Sequence, residues 1–397
     1  MCGQPNADGR QIFFLRTDCF CAADITVGRL RCLSEEDDGA TKSLILGAKM
    51  ATYTYTTIAP PDSSYTISVG PNSINAKGEI VGEYEDNSGG HATHGFLESH
   101  GSYTTIDPPG STETIAFGIN AKGQIIGQYD STGPAHGFLD NHGVYTTIDA
   151  PGSVYGTEPT SINAKGEIVG VYRDGNGVDH GFLDNHGTYT TINVPGTLDT
   201  YAYGINAKGQ IVGSYIINPN DNGGQSVGFI ENHGNYTTIN PPGGFSTTVI
   251  AINAKGELAG YFTERKDGSE QGFLYSHGIY NIIDFPGAAR TLAYGINTKG
   301  QIVGFYVDSG GEQHGFVDDH GIYTAIDPPG SVSTSAISIN AKGQIAGFYN
   351  NNVNGNSGGT YYGFLADPSG PISAVPEPAT TAMMLLEICR ARVGDAN

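Results

Sequence analysis

The chain has no tryptophan, only 19 lysine and arginine residues, and only 15% charged residues of either sign. Set against 40 acidic side chains over 397 residues, the few basic ones leave a formal charge of −21. Gripping a phosphate backbone takes clustered Lys and Arg that release counterions, so no nucleic-acid partner is expected. No stretch approaches the ~20 apolar residues that cross a bilayer as a helix, so no integral membrane insertion is expected either. Cysteine is scarce. Cys2, Cys19, Cys21, Cys32 and Cys389 are the whole supply, and none falls within 51–368. An odd number without paired Cys-x-x-Cys motifs supports neither a disulfide framework nor a structural zinc site. Also missing are a Gly-x-Ser-x-Gly elbow, a Walker loop, a His-Glu-x-x-His pair and a dinucleotide fingerprint in helical context.

What the chain does have is 59 glycines and more tyrosine (23) than phenylalanine (16), a composition of short strands and tight turns. Self-comparison then exposes a repeat. Ile-Asn-Ala-Lys-Gly begins at Ile74, Ile119, Ile162, Ile205, Ile252 and Ile339, and Ile-Asn-Thr-Lys-Gly at Ile296. Gly-Phe-(Leu/Ile/Val) and Tyr-Thr-Thr-Ile or its variants recur on the same spacing, the latter first at Tyr55. The period lies within the ~40–50 residues of a propeller blade.

Each unit reads as four strands, A to D. Strand A ends at Ile-Asn, B is Gly-x-Ile-Val-Gly-x-Tyr, C carries Gly-Phe-Leu and D carries Tyr-Thr-Thr-Ile. The A–B turn, Asn-Ala-Lys-Gly, suits a type I turn closed by a left-handed Gly in a G1 bulge. The C–D turn, such as Asp140-Asn-His-Gly143, is expected to share that layout with His in the Lys position. Tyr55–Ile58 precedes the first complete unit, while the last Gly-Phe-Leu (Gly363–Leu365) has no strand D after it. The expected fold is therefore all-β: a seven-bladed β-propeller over residues 51–368, closed by the N-terminal strand pairing into the last blade. An open β-solenoid is the alternative. The residue before each Ile-Asn is small (Ser73, Gly118, Ser161, Gly204, Ala251, Gly295, Ser338), which points to packing near the axis rather than to a ligand channel.

Residues 1–50 match no repeat and read as a disordered leader or as a start-site artefact, with Met50 as the true start. Residues 369–397 form a Pro-rich tail. Within it, Val375-Pro-Glu-Pro-Ala379 followed by Thr-Thr-Ala-Met-Met-Leu-Leu resembles the PEP-CTERM sorting signal of Gram-negative bacteria. Here the apolar run stops at Leu386, and Arg390 and Arg392 are what remains of the basic cluster, a degenerate form. The repeats, with His-Gly-Phe at His94, His136, His180 and His314, are similar to the HAF-repeat group of bacterial extracellular proteins. That resemblance implies an extracellular or cell-surface location, and carries no activity assignable to residues.

Six of the eleven histidines precede the Gly of the C–D turn, one per blade, too far apart on the ring to share one metal ion. The turn lysines are expected to be solvated surface residues rather than an anion site. The face carrying the B–C and D–A connections is the preferred binding surface, because its B–C loops differ in every blade. On it the D–A loops begin with Asp107, Asp149, Asp284 and Asp327, the candidate binding residues, and with Asn193 and Asn240. No cofactor is called for. Calcium is a lesser expectation at Asp174-Gly-Asn176-Gly-Val-Asp179, which lacks the Gly and terminal Glu spacing of an EF-hand. The expected function is a non-catalytic secreted or surface module binding polysaccharide or an extracellular protein. The alternative is a carbohydrate-active enzyme, a polysaccharide lyase or glycoside hydrolase, with its site in the propeller mouth.

Overall fold

Each repeat is one antiparallel meander because tight turns punctuate it. In the A–B turn only the Gly is left-handed (Gly123 φ 85°, Gly209 φ 80°). Gly123 N donates to Asn120 O and Asn120 N to Gln124 O, both at 3.0 Å, which is the expected type I turn with its bulge. The C–D turn differs from expectation. His142 (φ 58°) and Gly143 (φ 86°) are both left-handed, as in a type I′ turn. Asn185 pairs with Thr188 around His186-Gly187, so the loop is two residues long. Two-residue hairpins match strand twist as type I′ or II′ turns; type I′ needs both residues left-handed, and His tolerates that region better than most side chains. A carboxylate at the end of strand C holds the turn: Gly187 N donates to Asp184 Oδ1 and Gly321 N to Asp318 Oδ1, each at 2.6 Å.

The computed structural model describes residues 52–369 except 68, 69, 71, 88–90, 218–223, 266, 267 and 352–359, together with four strands nearer the N-terminus. Those strands, Gln11–Phe14, Cys19–Asp24, Arg29–Ser34 and Ser43–Ile45, pair in sequence order as an antiparallel sheet. The remainder of the leader and the Val-Pro-Glu-Pro motif lie outside the described residues.

The repeats form seven four-stranded sheets. Six are continuous in the chain: 63–106, 113–148, 157–192, 200–239, 244–283 and 290–326 (blades 1 to 6). Blade 7 orders Ser333–Ile339, Ile345–Asn350, Tyr361–Ser369 and then Thr52–Ile58, so the N-terminal strand supplies the missing outer strand. Tyr55 meets Phe364 edge-on with ring centroids 6.3 Å apart, and Thr57 Oγ1 lies 3.1 Å from Tyr349 Oη.

Alternation along strand B supplies the core. In blade 1, Ile80 packs with Ile58 and Ala346 of blade 7, while Val81 packs with Ala116 and Ile119 of blade 2. Adjacent residues thus face opposite sides of each sheet, and the core is a set of interblade layers. A belt of buried side-chain amides joins the same blades. Asn75, Asn120, Asn163, Asn206, Asn253 and Asn297 each donate from Nδ2 to the main-chain oxygen of the next blade's Asn, at 2.9–3.2 Å. Asn340 completes the circuit by donating to Asn75 O at 2.9 Å. Each Asn Oδ1 meanwhile accepts from its own turn, as from Lys165 N (2.9 Å) and Glu167 N (3.1 Å) at Asn163.

Strand A is the free inner edge, and it is bulged. In blades 2, 3 and 4 the pairing slips by one residue at Phe117, Thr160 and Tyr203. Blades 5, 6 and 7 slip at Ile250, Tyr294 and Ile337. The second Gly of strand B is what admits this bulge. A Cβ on Gly213 would lie 1.8 Å from Tyr201 O, and one on Gly170 2.1 Å from Glu158 O. Immediately after each bulge comes the small residue noted in the sequence. At Gly295 a Cβ would sit 2.8 Å from Ile337 O of the next blade, so smallness there is interblade packing, as expected.

Candidate functional site: an aromatic mouth on the propeller axis

A bulge re-aims the side chain of the extra residue. Phe117, Thr160, Tyr203, Ile250, Tyr294 and Ile337 therefore turn away from the sheets, and all six line one axial well of about 420 Å³. Phe305 and Phe348, each following the second Gly of strand B, complete its aromatic wall. The bulged residues each stand two places before the A–B end of strand A, and Glu158 and Ser335, nearer its D–A end, join them in the lining. Sequence reading missed this well. Packing accounts for the residue before Ile-Asn, but the residue one place earlier varies among Asn, Phe, Thr, Tyr and Ile, and that variation was the available signal.

The lining is asymmetric. On one side Tyr294 lies 5.7 Å from Phe305 at an interplanar angle of 25° and 6.1 Å from Tyr261. The Arg290 guanidinium sits 5.7 Å from the Phe305 ring centre and pairs with Glu270 (3.1 Å). On the other side, from blade 3, stands Glu158. Its side chain reaches solvent inside the concavity, yet enclosure by protein, and secondarily the charge of Asp179, pushes its carboxyl above the ordinary value. Burial also pushes the hydroxyls of Tyr203 and Tyr294 up to about 12, so both remain protonated donors at physiological pH.

A second compartment of about 450 Å³ adjoins the well and shares Glu158, Thr160 and Tyr203 with it. There Arg173 holds Asp179 through two parallel bonds, Nε to Oδ1 and Nη2 to Oδ2, both 2.7 Å. Tyr201 Oη donates to the same carboxylate at 2.9 Å. Arg173 first, and then Tyr201, hold the Asp179 carboxyl below its usual range despite its burial.

The candidates named from sequence lie elsewhere. Asp107, Asp149 and Asp327 follow the outer strands and receive His94, His136 and His314 Nδ1 at 2.8, 2.9 and 3.0 Å. Asp284 follows the outer strand of blade 5, and its main-chain N–H donates to Tyr323 Oη at 3.2 Å. None of the four lines the mouth. The six turn histidines are exposed. Asp174 Oδ1 accepts from Asn176 N (2.8 Å) and Val178 N (2.9 Å), so it braces its own loop, while Asp179 is committed to Arg173. Most of the two longest B–C loops, at 218–223 and 352–359, lies outside the described residues. Asp308, Glu312 and His314 gather in another B–C connection with ligand atoms within 4.8 Å of one another. Asp308 Oδ1 there accepts from Gly310 N (2.8 Å) and Glu312 N (2.9 Å), the same bracing as at Asp174. Among the described residues no helix is long and apolar enough to cross a membrane.

No family model matches the chain, and no curated protein matches it in sequence. Among solved structures, the chain is similar to the β-propeller domain of the Trilobed protease from Pyrococcus furiosus. The TM-score is 0.52 at 11% identity, over 79% of this chain and 99% of that one. A puromycin-hydrolyzing peptidase of Mycobacterium tuberculosis matches at TM-score 0.50 and 11% identity, over 76% of this chain and 52% of that one. Virginiamycin B lyase from Staphylococcus aureus gives 0.48 at 11% identity, over 79% and 99%. Identities this low show the fold alone. The Pyrococcus ring is described as having an open velcro topology; here Thr52–Ile58 completes the last blade. The chain is an all-β, seven-bladed propeller with an aromatic mouth on its axis.

Proposed function

We propose that the protein is a non-catalytic binding module, at the cell surface or outside the cell, that holds a carbohydrate in the axial mouth. The observation that carries the reading is the pairing of an aromatic wall (Tyr294, Phe305, Phe348) with one accessible carboxylate, Glu158, around a well of about 420 Å³. A pyranose ring presents C–H bonds on its face and hydroxyls at its edge. Aromatic faces take the first, and a carboxylate and protonated tyrosines take the second. A well of this size admits a small ring, not a folded protein partner. Glycoside hydrolysis by the usual route needs two available carboxylates across the bond. Of the two carboxylates in the mouth and its side compartment, Asp179 is neutralised by Arg173 and only Glu158 is without a countercharge. The resemblance of the repeats to bacterial extracellular proteins supports the location.

A glycan array followed by calorimetric titration tests this, alongside assays for reducing ends and unsaturated products. Binding without turnover is expected, with affinity falling about tenfold or more in Phe305→Ala and Tyr294→Ala. Turnover abolished by Glu158→Gln would replace this reading with the enzymatic one. Absence of binding to any glycan would end both.

A further inference from the structure

We infer that the mouth takes a linear oligosaccharide end-on, its terminal unit in the axial well and the next units laid outward over blade 3; this deepens the carbohydrate reading and rests on it. The well and the side compartment, about 420 and 450 Å³, are one cleft with a common wall of Glu158, Thr160 and Tyr203. An aromatic surface runs through that junction: Tyr203 and Tyr201 stack with centroids 6.1 Å apart and planes only 7° apart. Tyr203 lines both compartments and Tyr201 only the outer one, so the pair carries one continuous ring surface from the axis outward.

The two compartments differ in chemistry as successive units of a chain do. The axial well is walled by Phe117, Phe305, Phe348 and Ile337, and suits the unit stripped of most water. The outer one offers Gln128, the Arg173–Asp179 pair and Tyr155, and suits units still largely hydrated. Tyr155 is 63% exposed, and its backbone is fixed because Val154 N (2.9 Å) and Tyr155 N (3.2 Å) both donate to Arg173 O. That gives the outer compartment a rigid ring platform at its rim. Glu158 stands at the junction, where a hydroxyl of the terminal unit and the first linkage oxygen both come within its reach.

The test is titration calorimetry of the full chain with malto-, cello- and chito-oligosaccharides of one to about five units. In the series that binds, affinity is expected to rise at least tenfold from one unit to about three. Tyr155→Ala, an exposed change whose fold is checked by its melting temperature, is expected to abolish most of that rise and leave monomer affinity within about twofold. Phe305→Ala is expected to weaken every length alike. Affinity independent of length, or a Tyr155→Ala loss equal for monomer and oligomer, overturns the inference and leaves the carbohydrate reading standing. Failure of all three series overturns the inference, and a blank glycan array overturns the carbohydrate reading with it.

Discussion

At the residue scale, buried carboxylates are held in opposite ways in this protein. Asp179 has Arg173 against it and sits below its usual range. Glu83, buried in blade 1, has no such cation; burial first, then the charge of Glu113, push its carboxyl up, while the hydrogen bond from Tyr65 Oη (2.9 Å) opposes them. A carboxyl raised in the folded state is protonated there before it is in the unfolded chain. Its ionised form therefore costs stability at neutral pH, and that cost disappears as pH falls through the raised value into the ordinary range. Glu83→Gln keeps an acceptor for Tyr65 and removes the charge. Thermal melts should show Glu83→Gln above the parent at neutral pH, with the gap closing on acidification; a gap independent of pH would contradict this assignment. The C–D turns make a second residue-scale case. His142 holds φ 58°, a conformation β-branched side chains resist. His142→Val should cost about 1 kcal/mol or more and His142→Gly close to nothing, as read by denaturant midpoints.

At the element scale, strand A and strand B are fitted to each other by one bulge and one glycine. Gly213→Ala would place a methyl 1.8 Å from Tyr201 O, so the bulge must move. The expected loss is about 3 kcal/mol or more, and because the bulge aims Tyr203 into the well, any folded Gly213→Ala protein should also bind more weakly. Gly143→Ala, in open space, tests backbone strain alone by comparison. The contrast between these two glycines explains what the sequence let a reader see. Turn glycines follow Lys or His in every copy, so hairpins, strand order and blade count were legible from agreement among repeats. A bulge adds one residue without altering the period, and the residue it re-aims is free to differ. Phe117, Thr160, Tyr203, Ile250, Tyr294 and Ile337 are not one residue type, so no recurring motif marks them. Glu158 was hidden for the same reason, since its counterparts two residues before the bulge include Ile115, Tyr201 and Leu292. The fold lies where the copies coincide, and the mouth where they diverge.

At the scale of the whole molecule, closure and charge dominate. Asn340 joins residues 265 positions apart through its bond to Asn75 O, and its Oδ1 also accepts from Lys342 N (2.9 Å) and Gln344 N (3.1 Å). Asn340→Ala strands these partners and should cost about 1–3 kcal/mol. Asn206→Ala, at an internal seam with the same partner types (Asn253 O, Gln210 Oε1, Lys208 N and Gln210 N), should cost the same within about 0.5 kcal/mol. A much larger loss at Asn340, in matched urea titrations, would show that the closing seam is weaker than the rest. The net charge of −21 acts over the surface rather than at one contact. Polyanionic glycans should bind more weakly than neutral ones of equal length at low salt, and the difference should shrink as the screening length falls below about 10 Å.

The amide belt also bears on how such a ring is assembled in the first place. A circuit in which every member gives one bond and receives one has neither a head nor a tail. An inserted unit bearing Ile-Asn-x-x-Gly would bring its own donor and acceptor and demand no alteration next door. Seam chemistry is thus indifferent to the tally of sectors. That tally is left to the copy number of the unit and to the taper of the apolar layers between sheets, which makes duplication an easy route to larger or smaller rings.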